Sequence, residues 1–230
     1  MNVAKLKERL AEVEARIEAA RARSGRGDGV TILGVTKGHP AGMVELAWQA
    51  GLRKVGENRV TELEAKRSEV QVPLEWHLIG HLQRNKVRRA LGAFDLLHSL
   101  DSMRLAEVVS QEAERAGVEV AVLVQVNASG EESKGGFEVE QGVDAVAGVA
   151  VLPGIAVRGV MTMAPYTAEG AVLRQTFART RALYDECARG VPGFVAEHCS
   201  MGMSNDYEIA VEEGSTLVRL GTVLFGERQG

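Results

Sequence analysis

Residues 119–127 read Glu-Val-Ala-Val-Leu-Val-Gln-Val-Asn, and the run Val120–Val124 inside them is apolar at every position. A strand with one buried face shows apolar residues at alternate positions, whereas a strand buried on both faces is apolar throughout. Strands of the second kind are typical of parallel sheets that are covered by helices. This stretch therefore predicts an interior strand of an α/β fold.

Short apolar segments alternate with amphipathic stretches from Val30 onward. We predict eight strands, at Thr31–Lys37, Lys54–Asn58, Glu75–Gly80, Leu96–Leu100, Glu119–Asn127, Ala156–Met163, Glu197–Met201 and Thr216–Phe225. We predict helices between them, at Met43–Ala50, Arg59–Val70, Arg84–Leu91, Met103–Ala116, Val139–Val149, Ala168–Arg189 and Asp206–Glu213. Eight such alternations in about 200 residues predict a closed (β/α)8 TIM barrel. An open doubly wound sheet is the alternative, but the absence of GxGxxG after the first strand disfavours a dinucleotide-binding unit.

The first 23 residues carry a separate pattern. Apolar residues recur in steps of three and four over residues 2–23, which predicts an amphipathic helix. The apolar positions are Val3, Leu6, Leu10, Val13, Ile17 and Ala20. A coiled-coil seam or a membrane-surface helix has similar spacing, but mixed charges and the lack of aromatics argue against a membrane. We expect the helix to pack on the barrel and residues 1–230 to form a single domain, since no flexible linker interrupts them.

Composition and charge argue against several classes of protein. The net charge of −4 and the 4% aromatic content are unlike those of nucleic-acid-binding proteins. Cys187 and Cys199 lack metal-ligand spacing, so we expect no metal. Apolar runs are too short to cross a bilayer, and the charged start of the chain from Lys5 lacks a secretory pattern. We therefore expect a cytoplasmic protein, and the acidic charge is compatible with a monomer.

The first two predicted strands end in residues that are candidates for a site, because (β/α)8 barrels place their active sites at the C-terminal strand ends. The first strand ends on Lys37, one of seven lysines against 20 arginines. A desolvated lysine is a nucleophilic amine, whereas arginine keeps its proton. The second strand ends on Asn58. Both residues have ordinary alternatives, a solvated charge for Lys37 and a turn or cap for Asn58.

Two histidines belong to the third predicted strand and its tip. His77 is within the strand, and His81 follows it. His77 is either a hydrogen-bonded core or rim histidine, which is the commoner case, or a group that faces a ligand. His81 either reaches a ligand or is solvated. The residue types alone leave these alternatives open.

The ends of the last two predicted strands suggest a phosphate site. Ser204 is a favourable N-cap residue before the last predicted helix, and N-caps lie beside backbone N–H groups that bind anions. After the eighth strand, Gly221 permits close approach to the backbone and Thr222 supplies a hydroxyl. Loops after strands 7 and 8 are the recurrent phosphate site of this fold, although ordinary capping leaves the same pattern. Together with Lys37, these residues suggest an aldehyde cofactor that carries a phosphate.

Longer motifs make the chain resemble a known family. They are Val35-Thr36-Lys37-Gly38-His39-Pro40, Gly56-Glu57-Asn58, Trp76-His77-Leu78-Ile79-Gly80-His81-Leu82-Gln83-Arg84-Asn85-Lys86, Gln125-Val126-Asn127, Glu132-Ser133-Lys134-Gly135-Gly136, Arg158-Gly159-Val160-Met161, Ser200-Met201-Gly202-Met203-Ser204 and Val218-Arg219-Leu220-Gly221-Thr222-Val223-Leu224-Phe225-Gly226. From about Met1 to Arg228 the chain closely resembles the pyridoxal phosphate homeostasis proteins, which are of the alanine-racemase N-terminal-domain type.

This resemblance implies a function and a set of site residues. It implies a barrel with an extra N-terminal helix that holds pyridoxal 5'-phosphate on Lys37 as an internal aldimine. The phosphate would be held by Ser200, Ser204, Gly221 and Thr222. Arg219 would face the pyridine nitrogen, and Asn58 would lie beside the ring. The family is thought to buffer and deliver the cofactor, so the implied partners are apo-enzymes that use it.

A low-activity amino-acid racemase is the alternative function. Racemisation needs an acid or base on each face of the substrate α-carbon, and racemases with this barrel take the second one from an extra β domain that a 230-residue chain would lack. The tyrosines that could replace it, Tyr166, Tyr184 and Tyr207, lie in no recognised motif. Arg219 is a permanent cation, which leaves the ring nitrogen unprotonated and weakens the cofactor as an electron sink. We therefore expect cofactor handling, with a plain barrel scaffold whose Lys37 site is vestigial as a third hypothesis.

Overall fold

The structure is a computed structural model that describes residues 1–131 and 135–227. In these residues the strands are β1 (Thr31–Val35), β2 (Lys54–Glu57), β3 (Glu75–Leu78), β4 (Leu96–Leu100), β5 (Val120–Asn127), β6 (Phe137–Glu138), β7 (Ile155–Met161), β8 (Phe194–Met203) and β9 (Leu217–Leu220). The helices are α1 (Val3–Ser24), α2 (Ala41–Ala50), α3 (Val60–Glu69), α4 (Val87–Ala90), α5 (Met103–Ala116), α6 (Gly142–Ala150), α7 (Gly170–Gly190), α8 (Tyr207–Glu212) and α9 (Thr222–Phe225). Short 3-10 turns occupy Arg84–Lys86 and Val139–Gln141.

Eight of the strands form a closed parallel barrel. Their order is β4-β3-β2-β1-β9-β8-β7-β5, and pairing between β5 and β4 closes the ring. The predicted (β/α)8 TIM barrel is therefore confirmed, and the open sheet is excluded. The predicted interior strand at residues 119–127 corresponds to β5, which lies between β4 and β7 and is buried along nearly its whole length.

Two elements differ from the sequence prediction. The predicted strand Thr216–Phe225 ends at Leu220, and Thr222–Phe225 forms the short helix α9 instead. The chain changes direction at Gly221, which brings the Phe225 side chain against β1 near Gly34. The two-residue strand β6 was not predicted, and it pairs with the C-terminal end of β5.

Alternation along the strands separates an outer and an inner layer of side chains. Val120, Val122 and Val124 belong to the large core between the barrel and its helices, whereas Leu123 belongs to a second, smaller cluster. Because successive side chains of a strand point to opposite faces, this second cluster lies inside the barrel. The same parity identifies the inward-facing residues on the other strands.

The N-terminal helix α1 packs against helices α2, α8 and α9. Asn2 caps α1, because its side chain accepts a hydrogen bond from the Lys5 amide (2.9 Å). The predicted stripe is buried from Leu6 to Ala20 against α2, α8 and α9. Within residues 1–131 and 135–227, no helix has the length and apolar character needed to cross a membrane.

Candidate functional site

Lys37 and Asn58 follow the C-terminal ends of two neighbouring strands. β1 and β2 pair in parallel with Val35 opposite Gly56, and the amide of Thr36 extends the pairing to the Gly56 carbonyl (3.1 Å). Each of the two candidate residues comes two positions after this matched pair. Lys37 is half-buried and Asn58 is exposed. The two residues therefore lie after adjacent strands at the same end of the barrel.

A buried charge cluster holds the chain on both sides of this lysine. Lys66 Nζ donates to the Thr36 carbonyl (2.8 Å) and to Glu57 Oε1 (2.7 Å). Glu62 Oε1 accepts from the same ammonium (2.8 Å) and from the Gly38 amide (2.6 Å). The Thr36 hydroxyl also donates to Glu57 Oε1 (2.5 Å). Helix α3, which carries both Glu62 and Lys66, therefore fixes the backbone immediately before and after the site lysine.

Lys66 is the positive charge on which this cluster depends. Burial raises the pKa of Glu57, against the hydrogen bonds from Lys66 and Thr36. Burial also acts to raise the pKa of Glu62, but hydrogen bonds from Lys66 and the Gly38 amide lower it overall. Among the described residues, Glu57 Oε2 has no hydrogen-bond partner. Two carboxylates thus share one buried ammonium, whose loss would leave both uncompensated.

Glycine at position 80 allows the chain after β2 to pass close to the end of β3. A Cβ atom at Gly80 would lie 2.1 Å from the carbonyl oxygen of Asn58, which is far inside van der Waals contact. The Ser99 hydroxyl donates to the Gly80 carbonyl (2.7 Å) and fixes this approach from β4. Asn58 is therefore positioned by its neighbouring strand as well as by its own.

The ends of β8 and β9 meet through Ser204. Its hydroxyl oxygen accepts from the backbone amides of Gly221 (3.2 Å) and Val223 (3.4 Å), at the start of α9. The prediction that Ser204 is the N-cap of the following helix is wrong, because α8 begins at Tyr207 and its N-cap position is Asp206. Thr222 is exposed at the first position of α9. Two backbone donors and two hydroxyls are thus gathered where the phosphate was predicted.

Arg219 lies deeper in the barrel and is held by carbonyl and hydroxyl oxygens. Nη1 donates to the carbonyl (2.9 Å) and hydroxyl (2.7 Å) of Ser200, and Nη2 donates to the Thr162 carbonyl (2.8 Å). Burial lowers the pKa of Arg219 to about 10, so it stays a cation at neutral pH. A guanidinium has five N–H donors, and these bonds use three of them. Two donors therefore have no acceptor among the described residues.

Ser200 has a different place from the other residues predicted to hold the phosphate. Its side chain is fully buried, and its hydroxyl contacts Arg219 and the Nδ1 atom of His98 (3.2 Å). These partners engage Ser200 with the cation in the barrel rather than with the amides beside Ser204. We correct the assignment accordingly: Ser200 supports Arg219.

Sequence reasoning missed several residues that support the site. Lys66 and Glu62 stand four positions apart on α3, a spacing that places them on one helix face and that could have indicated their pairing. His98 lies at an inward-facing position of a strand whose other residues are three leucines and Ser99, and this placement is the signal that could have indicated it. His77, for which two alternatives were open, is a buried and hydrogen-bonded histidine. His81 is exposed and contacts Asp101 Oδ2 through Nδ1 (2.9 Å).

The tyrosines considered as second acid/base groups lie in three separate places. Tyr184 is buried on α7 against Phe194, outside the barrel. Tyr207 is buried at the start of α8 with Arg16 beside its ring. Tyr166 follows β7 and is 94% exposed. Of the three, Tyr166 alone lies in a loop at the C-terminal ends of the strands. Lys134 and its neighbours Glu132 and Ser133, which belong to one of the family motifs, are outside the described residues.

The fold and the site define a class. This is a parallel (β/α)8 barrel whose lysine, amide, hydroxyl and arginine side chains gather at the C-terminal ends of β1, β2, β8 and β9, where barrels of this type bind ligands. Residues 9–229 match the family described as alanine racemase, N-terminal domain. A relative from Aquifex aeolicus, named pyridoxal phosphate homeostasis protein, is 42% identical over 96% of this chain and 98% of its own. The chain belongs to this family, which confirms the resemblance carried by its motifs.

Solved structures agree with this assignment. A protein of unknown function from Bifidobacterium adolescentis superposes with a TM-score of 0.90 at 36% identity, over 97% of this chain and 95% of the other. PipY of Synechococcus elongatus PCC7942, solved with pyridoxal phosphate bound, superposes with a TM-score of 0.82 at 35% identity, over 96% of this chain and all of PipY (100%).

Proposed function

We propose that this protein binds pyridoxal 5'-phosphate and takes part in its homeostasis, with Lys37 as the covalent attachment point. The observation that carries the proposal is the meeting of Lys37 and Asn58 with the Ser204 hydroxyl and the Gly221 amide at one end of the barrel, since β9 and β2 both pair with β1. Pyridoxal phosphate in the related PipY structure supports it. Lys37 would supply the amine that condenses with the aldehyde of the cofactor, with release of water.

The residues present fit the phosphate group. The amides of Gly221 and Val223 point at one oxygen atom, the Ser204 hydroxyl, so the same donors suit a phosphate oxygen. Thr222, exposed beside them, adds a hydroxyl. A Cβ atom at Gly221 would meet Val35 only at ordinary contact distances, so packing against Val35 does not require glycine there. The proposed close approach of a ligand to the backbone is consistent with this glycine.

The residues present also fit the ring. Arg219 has two N–H groups that can donate hydrogen bonds to a ring nitrogen. Because it stays a cation at neutral pH, it does not transfer a proton to that nitrogen. The bound cofactor supplies an electrophilic aldehyde and a conjugated ring that withdraws electrons most strongly when the ring nitrogen is protonated. Arg219 favours the unprotonated form, which limits turnover. Binding and release, rather than a rapid reaction, is the activity that this choice supports.

The exposure of the site supports a carrier. Lys37 is half-buried, and Asn58 and Thr222 are exposed, so the ligand is approached from solvent. A site of this kind suits buffering of the cofactor and its delivery to apo-enzymes. We propose that the protein does this in the cytoplasm as a monomer, and sedimentation of the purified protein measures that state.

Reductive trapping tests the attachment point. Purified protein incubated with pyridoxal phosphate and reduced with borohydride should gain one cofactor mass and lose its visible absorption band. Lys37→Ala should abolish both the band and the adduct, whereas Lys86→Ala, a change at an exposed lysine, should retain them. A trapped adduct that persists in Lys37→Ala would place the bond on another lysine, such as Lys134. Rapid racemisation of L-alanine by the wild type would overturn the carrier role and favour the racemase.

A further inference from the structure

A chain of buried hydrogen bonds runs through the barrel from Arg219 to the opposite end. Arg219 donates to the Ser200 hydroxyl (2.7 Å), which contacts Nδ1 of His98 (3.2 Å). His98 Nε2 contacts Nδ1 of His77 (2.8 Å). His77 Nε2 contacts Glu75 Oε1 (2.9 Å). The five side chains therefore form one continuous series, and the first four of them are buried.

The series lies inside the barrel and along its axis. Trp76, Leu97 and Cys199 belong to the core outside the barrel, so the inward-facing positions are His77, His98 and Ser200. Glu75 is the first residue of β3, at the N-terminal end of the strands, and it also forms a salt bridge with Lys54 Nζ, at the start of β2. The series of hydrogen bonds thus joins the Glu75–Lys54 ion pair at one end of the barrel to the Arg219 guanidinium near the other.

The two ends of the series determine every proton in it. A guanidinium only donates, so the Ser200 oxygen accepts from Arg219, and its single hydrogen is available to His98 Nδ1. At the other end the hydrogen bond from His77 holds the pKa of Glu75 down to about 2, so this ionised carboxylate only accepts, and His77 Nε2 must be the donor. Burial lowers the pKa of both histidines, and in the neutral form the Nδ1 atom of His77 accepts from Nε2 of His98, whose own Nδ1 atom then accepts from Ser200. Both histidines therefore carry the proton on Nε2.

We propose that Ser200, His98 and His77 are positioning residues that hold Arg219 in one orientation, through fixed Nε2–H tautomers anchored by the Glu75–Lys54 ion pair. The part of this inference that concerns the ring nitrogen rests on the proposed function, whereas the tautomers do not. Fixing both Nη atoms directs the two remaining N–H groups of Arg219 away from Ser200 and Thr162. Those groups are then available to the ligand without a change of side-chain conformation, which reduces the entropic cost of binding.

The tautomers are testable without any cofactor. Nitrogen-15 spectra of histidine-labelled protein at neutral pH distinguish protonated, hydrogen-bonded and free ring nitrogens. We expect His77 and His98 each to show a protonated Nε2 and an accepting Nδ1. The resonances are assigned from variants in which one histidine at a time is replaced. An Nδ1–H tautomer or an imidazolium at either residue would overturn the proposal.

Ser200→Ala tests the link to Arg219. The His98 Nδ1 resonance should move to the position of a nitrogen that accepts no hydrogen bond, while Nε2 stays protonated because Glu75 still fixes the other end. Ser200→Thr, which keeps the hydroxyl, should restore the wild-type resonance. Ser110→Ala is the matched control, since Ser110 is a buried serine on α5 whose hydroxyl bonds to Pro153 outside the series. An unmoved His98 Nδ1 resonance in Ser200→Ala contradicts the series.

The same variants separate this proposal from the proposed function. Ser200→Ala should weaken pyridoxal phosphate binding about 2- to 10-fold, the effect of one hydrogen bond, and shift the visible band of the bound cofactor. Ser200→Thr should restore both. If the tautomers are as expected but no cofactor binds to the wild type, the proposed function fails and the series stands. If the cofactor binds but Ser200→Ala changes neither affinity nor band, the positioning role is wrong.

Discussion

Lys66 shows how a residue away from the ligand can determine the placement of a reactive one. It is 5% exposed, and its ammonium contacts two carboxylates and the carbonyl that precedes Lys37. Burial of the Lys66 ammonium is tolerated because the carboxylates of Glu57 and Glu62 balance its charge and accept its hydrogen bonds. The segment that carries Lys37 is therefore held by electrostatics from α3 as well as by its own strand.

Replacing Lys66 should destabilise the fold more than replacing a surface lysine. Lys66→Met leaves the buried Glu57 and the partly exposed Glu62 without their cation, and loss of the partner of a buried charge typically costs about 3–5 kcal/mol. Urea unfolding followed by tryptophan fluorescence measures the loss, with Lys86→Met as the exposed control. A loss below about 1 kcal/mol would show that the cluster behaves like a surface ion pair.

The sequence indicated some of these residues and could not indicate others. Lys37 was identified by its position at a strand end and by a family motif, whereas Arg219 was identified by the family resemblance alone, and the roles of both at the cofactor stay predictions. His98 and Lys66 were not, because their roles depend on neighbours that the barrel brings together from distant parts of the chain. Ser200 was assigned to the phosphate, since its motif also contains Ser204 and a sequence does not show which serine faces inward.

Among the elements, strands were predicted well and the end of the last one was not. The apolar run Val223-Leu224-Phe225 fits a buried strand or a helical turn equally well, because short apolar runs lack a period. The turn at Gly221 decides between them, and it depends on packing of Phe225 against β1. Helix α1 was predictable because its apolar stripe continues over several turns.

Helix α1 should contribute to the stability of the barrel rather than act as an appendage. Leu6 is fully buried, and a Leu→Ala change in a core costs about 2–5 kcal/mol. We expect Leu6→Ala to lower the free energy of unfolding by this amount and Lys7→Ala, on the exposed face, to change it little.

We further propose that residues 1–230 form a single domain, so circular dichroism and tryptophan fluorescence should report one shared transition. Separate transitions would show that α1 unfolds independently.

At the scale of the whole molecule, buried histidines make stability depend on pH. Burial lowers the pKa of His77 and His98, and lowers the pKa of His198 to about 4. An unfolded histidine takes up its proton near pH 6.5, so the unfolded state binds more protons below that pH. Stability is therefore fully present above about pH 6.5 and falls as the solution is acidified.

Removal of one of these histidines should flatten the dependence. A histidine whose pKa in the folded protein lies well below its unfolded value, as for His98, contributes a slope of about 1 kcal/mol per pH unit between pH 6 and 5. In urea unfolding at pH 7, 6 and 5, His98→Gln should lose stability less steeply than the wild type, whatever its stability at pH 7. His81→Gln, at an exposed histidine, checks that the effect is not general to histidine removal. Equal slopes for His98→Gln and the wild type would contradict the prediction.

The hydroxyl of Ser204 has a consequence for exchange. It already accepts hydrogen bonds from the amides of Gly221 and Val223, so it competes with the proposed phosphate for these two donors. A phosphate oxygen that takes these donors must displace the hydroxyl or share them with it, and when the phosphate departs the hydroxyl returns. Release of the phosphate would therefore leave neither amide without a hydrogen-bond acceptor, which lowers the free-energy cost of release. For the cofactor delivery that we propose, a site whose amides stay hydrogen-bonded after release would make repeated release easier.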